Sequence, residues 1–137
     1  MHTILVVDDD PLVSGFIGST LREMGLTVLT ADRMDAALTT ILRHRDEIDL
    51  AIVDMVMPGG SGLDLAAEMG RQWDKMQVLY VSGHHDSVAM EAIARRSPEN
   101  VLLKPFSDQE LATRVVQLLA RQHAGSWRET PAIPKAS

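Results

Sequence analysis

Five short apolar runs, at 4–7, 27–30, 50–53, 78–81 and 101–103, alternate along the chain with segments of helical period. The runs are rich in β-branched residues or leucine, too short for helices, and read as buried strands. Between them, Met34, Ala37, Leu38, Ile41 and Leu42 fall on one helical face, as do Leu111, Val115, Leu118 and Leu119 near the end. The pattern is βα repeated five times. Strands linked this way lie parallel and are joined by right-handed crossovers, so the helices must cover both faces of one open sheet.

The punctuation agrees. Pro11 stands where a first helical turn tolerates proline and Gly25 where a helix ends, giving a first helix at about 11–24. Asp32 is positioned to cap the second helix, Ser61 or Gly62 opens the third, and Ser107 with Glu110 forms a capping box for the fifth. The fourth, at about 86–96, has Val88, Ala92 and Ile93 but few large apolar residues, so looser packing is expected there. Five βα units favour a flavodoxin-like, doubly wound α/β fold with strand order 2-1-3-4-5. A length of 137 residues suits one domain. That domain is expected at 1–121, because 122–137 loses all periodicity and reads as a tail or linker stub.

Composition removes several classes of function. There are no cysteines, which excludes disulfides, thiolate catalysis and cysteine-ligated metals. A net charge of −6 offers no basic face for a phosphate backbone, so direct nucleic-acid binding is not expected. No apolar run approaches the ~18 residues of a membrane span. Three acids follow ILVV where a signal peptide would need its cleavage site. A soluble, cytoplasmic protein without membrane insertion is expected.

In an open parallel sheet, ligands bind beyond the carboxyl ends of the strands, where strand order reverses. The first strand ends in Asp8, Asp9 and Asp10, the third in Asp54, the fourth in Ser82 and Gly83, and the fifth in Lys104 and Pro105. With strands ~4.8 Å apart, Asp8, Asp9, Asp54 and Ser82 share one small pocket that the long Lys104 side chain can reach. Asp10 before Pro11 fits a helix cap, but a cap does not account for three acids. Crowded carboxylates must either raise a pKa or bind a divalent cation, and oxygen-only donors favour magnesium or manganese. Lys104, one of three lysines, is costly at a buried strand end unless an anion partners it. His2, His44 and His123 read as surface residues, and His84 with His85 as a solvated loop or a lining of the rim.

These residues resemble the receiver domain of two-component response regulators over about residues 2–121. The likeness is carried by the acidic pair after ILVV, by Asp54 with Met57, Pro58 and Gly62, by Ser82 after VLYV, and by Lys104-Pro105-Phe106. It implies that Asp54 accepts a phosphoryl group from a partner histidine. Asp9 would bind magnesium directly, Asp8 through water, and the Val56 backbone carbonyl would complete the protein ligands. Ser82 and Lys104 would hold the phosphoryl oxygens. The Lys104–Pro105 peptide is expected to be cis. One departure stands out: the family often carries an aromatic residue three positions before the lysine, and here that position is Val101. Val56 and His84 flank the site, where water access to the phosphoryl group would be tuned.

The expected role is therefore a phosphorylatable switch and not a metabolic enzyme. Its partner would be a histidine kinase or histidine phosphotransfer protein, and its output face the fourth helix, fifth strand and fifth helix. The module would be a stand-alone regulator or the receiver part of a hybrid histidine kinase, as a monomer or weak homodimer. Two alternatives are a small haloacid-dehalogenase-like phosphatase built on Asp8-x-Asp10, and a degenerate receiver that binds partners without phosphorylation.

Overall fold

The structure, a computed structural model, describes residues 2–44, 46–57, 60–61, 76–83 and 88–125. In chain order these form β1 (Thr3–Val7), α1 (Pro11–Glu23), β2 (Thr27–Ala31), α2 (Met34–Arg43), β3 (Ile48–Asp54), β4 (Val56–Met57) and β5 (Gly60–Ser61). There follow β6 (Gln77–Ser82), α3 (Val88–Arg96), a 3₁₀ turn Pro98–Asn100, β7 (Val101–Leu103) and α4 (Asp108–Gly125). Ser61 ends β5, and the residues from Gly62 onward on which the third helix is expected lie outside the described residues, as do Pro58, His84 and His85.

β2, β1, β3, β6 and β7 hydrogen-bond in that order, every pair parallel. Counted as the sheet's own strands, the order is 2-1-3-4-5, as expected. β4 and β5 form a separate antiparallel ribbon just beyond β3.

Side chains alternate across a strand, so each apolar run feeds two cores. Ile4, Val6, Ile52, Leu79 and Val81 meet Ile17 and Leu21 of α1 and Leu111, Val115 and Leu118 of α4 on one face. Leu5, Val7, Ala51 and Val53 meet Ala37 and Ile41 of α2 on the other. A fully buried leucine or isoleucine contributes roughly 1.5–3 kcal/mol. The rigidity of the central strands follows from that double burial. In α3, by contrast, residues 91–96 are exposed or half-buried. Among the described residues, no helix is long and apolar enough to cross a membrane.

Most helix ends follow the local chemistry. Asp10 caps α1, its carboxylate accepting the Leu12 amide at 2.9 Å. The Ser107 hydroxyl accepts the Glu110 amide at 3.0 Å while the Glu110 carboxylate accepts the Ser107 amide at 2.8 Å, closing the capping box. Asp32 does not cap α2. The helix starts after Arg33, which makes no side-chain cap bond, and Asp35 instead receives the Ala36 amide at 2.8 Å and the Arg33 guanidinium at 2.9 Å. A carboxylate already inside the first turn serves the helix end that Asp32 was expected to serve. α4 continues to Gly125.

α1 ends in a Schellman motif. The Gly25 amide donates to the Arg22 carbonyl at 2.9 Å and the Leu26 amide to the Leu21 carbonyl at 3.1 Å, with Gly25 at φ +84. A side chain there meets no neighbour, so its cost is backbone strain alone. Gly25→Ala is expected to lower stability by about 1 kcal/mol. Gly15→Ala, in open space within α1, should raise it by about 0.5–1 kcal/mol. Urea denaturation of the two variants checks the opposite signs, and equal signs would refute the assignment of Gly25 to this cap.

Candidate functional site

The reversal of strand order places β1 between β2 and β3, and the ends of β1 and β3 side by side. Asp8, the first residue beyond β1, still donates its amide to the Ala31 carbonyl at 3.1 Å. Its Oδ1 accepts the Asp10 amide at 2.8 Å. That bond fixes the carboxylate and leaves Oδ2 buried, without a hydrogen bond among the described residues. Asp10 reads in the sequence as a cap; its backbone also orients Asp8, a role hinted at only by the short turn that must follow a strand.

Asp54 closes β3 and is 7% exposed, against 3% for Asp8, while Asp9 between them and α1 is exposed. One carboxylate oxygen from each of Asp8, Asp9 and Asp54 lies within 4.8 Å of the others. Lys104, just after β7, brings its Nζ to 3.7 Å from Asp54 Oδ2 and 4.0 Å from Asp8 Oδ2. One ammonium thus faces the two buried carboxylates of a three-acid cluster. Burial pushes the Asp8 carboxyl above its ordinary range; Asp54 and Asp9 push the same way, against the Asp10 amide and Lys104.

Ser82 closes β6 one step past Val81, the register partner of Asp54, and is buried. Its carbonyl accepts the Lys104 amide at 2.8 Å, tying the ends of β6 and β7 together. The Lys104–Pro105 peptide is cis. Phe106 packs against the main core, its ring centroid 6.0 Å from that of Phe16 on α1. Val56 lies two residues beyond Asp54, with its backbone in β4. The structure therefore gathers Asp8, Asp9 and Asp54, brings Lys104 against Asp8 and Asp54, and sets the Ser82 and Val56 backbones on the same rim. His2 pairs with Asp49 at 3.5 Å and His44 with Glu47 at 2.8 Å, away from it.

The donor set suits a hard divalent cation. Carboxylate oxygens converge, no sulfur or imidazole joins them among the described residues, and the unbonded Asp8 Oδ2 is the kind of buried acceptor that a cation satisfies. The same rim also carries one cation, the Lys104 ammonium, that can pair with an anion beside the two buried carboxylates.

A family model described as response regulator receiver domain matches residues 4–116. The transcriptional regulatory protein CpxR of Escherichia coli K12 is 30% identical over 129 residues, covering 94% of this chain and 53% of its own. The chain thus spans about half the length of the curated relatives it matches. Among solved structures, the response regulator TrrA from Thermotoga maritima, in complex with Mg(2+)-BeF, shares 29% identity at a TM-score of 0.74 over 86% of this chain and 99% of its own. The receiver domain of the hybrid histidine kinase CckA shares 30% at 0.71, over 85% and 98%. A parallel sheet whose reversal point gathers these acids, together with a match that runs from β1 into α4, makes the chain a member of the response regulator receiver domain family, the CheY-like signalling module of two-component systems.

Proposed function

We propose that this domain accepts a phosphoryl group on Asp54 in a magnesium-dependent reaction, from a histidine kinase or a histidine phosphotransfer protein, and thereby switches a protein-interaction surface. The observation that carries the reading is the buried Asp8 Oδ2, left without a hydrogen bond beside Asp54 and Lys104. Leaving such a group unsatisfied costs about 1–3 kcal/mol, which a structural role does not repay and a bound cation does. Receiver domains bind Mg2+ at their acidic pocket and interact with histidine kinases or phosphotransfer proteins.

On this reading an Asp54 carboxylate oxygen attacks the phosphorus of a phosphohistidine. The P–N bond breaks, and the imidazole leaves with the electron pair and takes up a proton. Both nucleophile and phosphoryl group are anionic, so the barrier is largely electrostatic. Lys104 offsets it from one side, its ammonium already placed against Asp54. The Ser82 hydroxyl supplies a donor to a phosphoryl oxygen. Asp8, Asp9, Asp54 and the Val56 carbonyl would hold the cation, which when bound neutralises charge on the transferred oxygens.

The surface formed by α3, β7 and α4 is the proposed output face, in a cytoplasmic regulator standing alone or within a hybrid histidine kinase. A dehalogenase-like phosphatase would need Asp10 facing the same pocket as Asp8. Asp10 is exposed and its carboxylate is engaged by the Leu12 amide, which disfavours that reading. A degenerate receiver is disfavoured because the acids, the serine and the lysine are all present.

Intact mass after incubation with acetyl phosphate and magnesium is expected to show a single phosphoryl adduct, lost on chelation and in Asp54→Asn. An adduct of equal yield in that variant would place the acceptor elsewhere. Lys104→Ala should slow adduct formation by about 10²-fold, and an unchanged rate would remove Lys104 from the reaction.

The raised pKa of Asp8 fixes a pH dependence. Its charge is worth less in the fold than in the unfolded chain, so at neutral pH it opposes folding, and the opposition fades as pH falls through the folded-state value. Without metal, Asp8→Asn should therefore stabilise the fold by about 1 kcal/mol at pH 7. Protons compete with the cation at the same carboxylate, so calorimetric magnesium affinity should fall with pH before ordinary carboxylates titrate. Affinity that stays flat down to pH about 4 would contradict this.

A further inference from the structure

Besides the two large cores, the buried residues form a third, small cluster. Met55 and Val101 are its buried members, and Tyr80, Ile93 and Ala94 pack against them. It adjoins the acidic rim on two sides. Met55 directly follows Asp54, and its amide donates to the Val81 carbonyl at 3.0 Å. Tyr80 stands two residues before Ser82, on the same face of β6, and in register with Val101 of β7. Ile93 and Ala94 belong to α3, so the cluster is a continuous apolar path from both edges of the Asp54 pocket to that helix.

α3 is the helix such a path can move. Among its described side chains, those of residues 91–96, none is fully buried, and Ile93 and Ala94 are the two that are half-buried. Its C-terminal end is nevertheless pinned. Asn100 Nδ2 donates to the Val78 carbonyl at 2.7 Å. Arg114 of α4 donates to the Pro98 and Val101 carbonyls, and Arg121 pairs with Glu99 at 2.7 Å. The turn that follows α3 is thus tied to β6 and α4.

We infer that Tyr80 is a positioning residue that transmits the phosphorylation state of Asp54 to α3, an inference that rests on the phosphoacceptor reading above. A phosphoryl group adds three oxygens beside Asp54 and Ser82, which are 7% and 6% exposed. Close-packed interiors pass such a displacement to their neighbours. The neighbours attached to Asp54 and Ser82 along the backbone are Met55 and, two residues back, Tyr80. Tyr80 is in register with Val101, which is small, and Tyr80 and Ile93 pack against the same Met55–Val101 pair, so the tyrosine is the largest side chain of this cluster. Burial pushes the Tyr80 phenol up, in keeping with a ring set inward.

Tyr80 is the chain's single tyrosine, so 3-fluorotyrosine gives the whole protein one ¹⁹F resonance. That resonance is expected to shift when acetyl phosphate and magnesium produce the adduct, and to stay put in Asp54→Asn. Hydrogen exchange at amides 88–96 should change by about fivefold on phosphorylation of the wild type and of Tyr80→Phe. In Tyr80→Leu the adduct should form as in the wild type, while the exchange response falls below about twofold. A merely structural ring would alter exchange equally in both states. An adduct with an unmoved resonance, or a full response in Tyr80→Leu, overturns this inference alone. Absence of any adduct in the wild type overturns the phosphoacceptor reading and this one with it.

Discussion

Two buried carboxylates, Asp8 and Asp54, face one lysine at the ends of adjacent strands, and the architecture of the rim follows from the cost of that arrangement. Burial and mutual repulsion both disfavour their charges. The chain offsets the cost by bonding one Asp8 oxygen to the Asp10 amide and bringing Lys104 within 4.0 Å of the other. It does not remove the cost, since Asp8 stays raised. A site left electrostatically incomplete in this way is one whose energy changes most when a cation or an anion arrives.

Such a site can persist only on a frame that does not relax. β1 and β3 are buried on both faces, and their parallel ladders hold Val7 and Val53 in register one step short of the acids. Relaxing the carboxylates apart would mean breaking ladder bonds or opening two cores, each worth more than the repulsion it would relieve. The helix caps serve the same end. Asp10 anchors the start of α1 while orienting Asp8, and Ser107 with Glu110 starts α4 immediately after Phe106.

Much of this was legible in the sequence because it depends on local pattern. Uniformly apolar runs such as ILVV and LAIV can only be strands buried twice over. Once five of them alternate with helices, the switch-point rule brings Asp8, Asp54, Ser82 and Lys104 to one rim. Where competing groups were available, the local reading failed. Asp32 and Asp35 are both plausible partners for the start of α2, and the Arg33–Asp35 pair decided between them. The importance of Tyr80 could not be read at all, because its register with Val101 exists only after β6 and β7 pair.

The weakest helical pattern and the mechanical role of α3 have one physical origin. A helix with few large apolar residues leaves a faint periodic signal and contributes little packing free energy, so its position is set by a handful of contacts. Among the described residues, those contacts include Ile93 and Ala94 on the Met55–Val101 cluster and the hydrogen bonds of the turn that follows. Chemistry at a rigid rim can shift such an element where it could not shift α1 or α4, whose Ile17, Leu21, Leu111 and Val115 lie in the main core. An event worth only a few kcal/mol at Asp54 must act on the part of the fold whose own stability is comparably small.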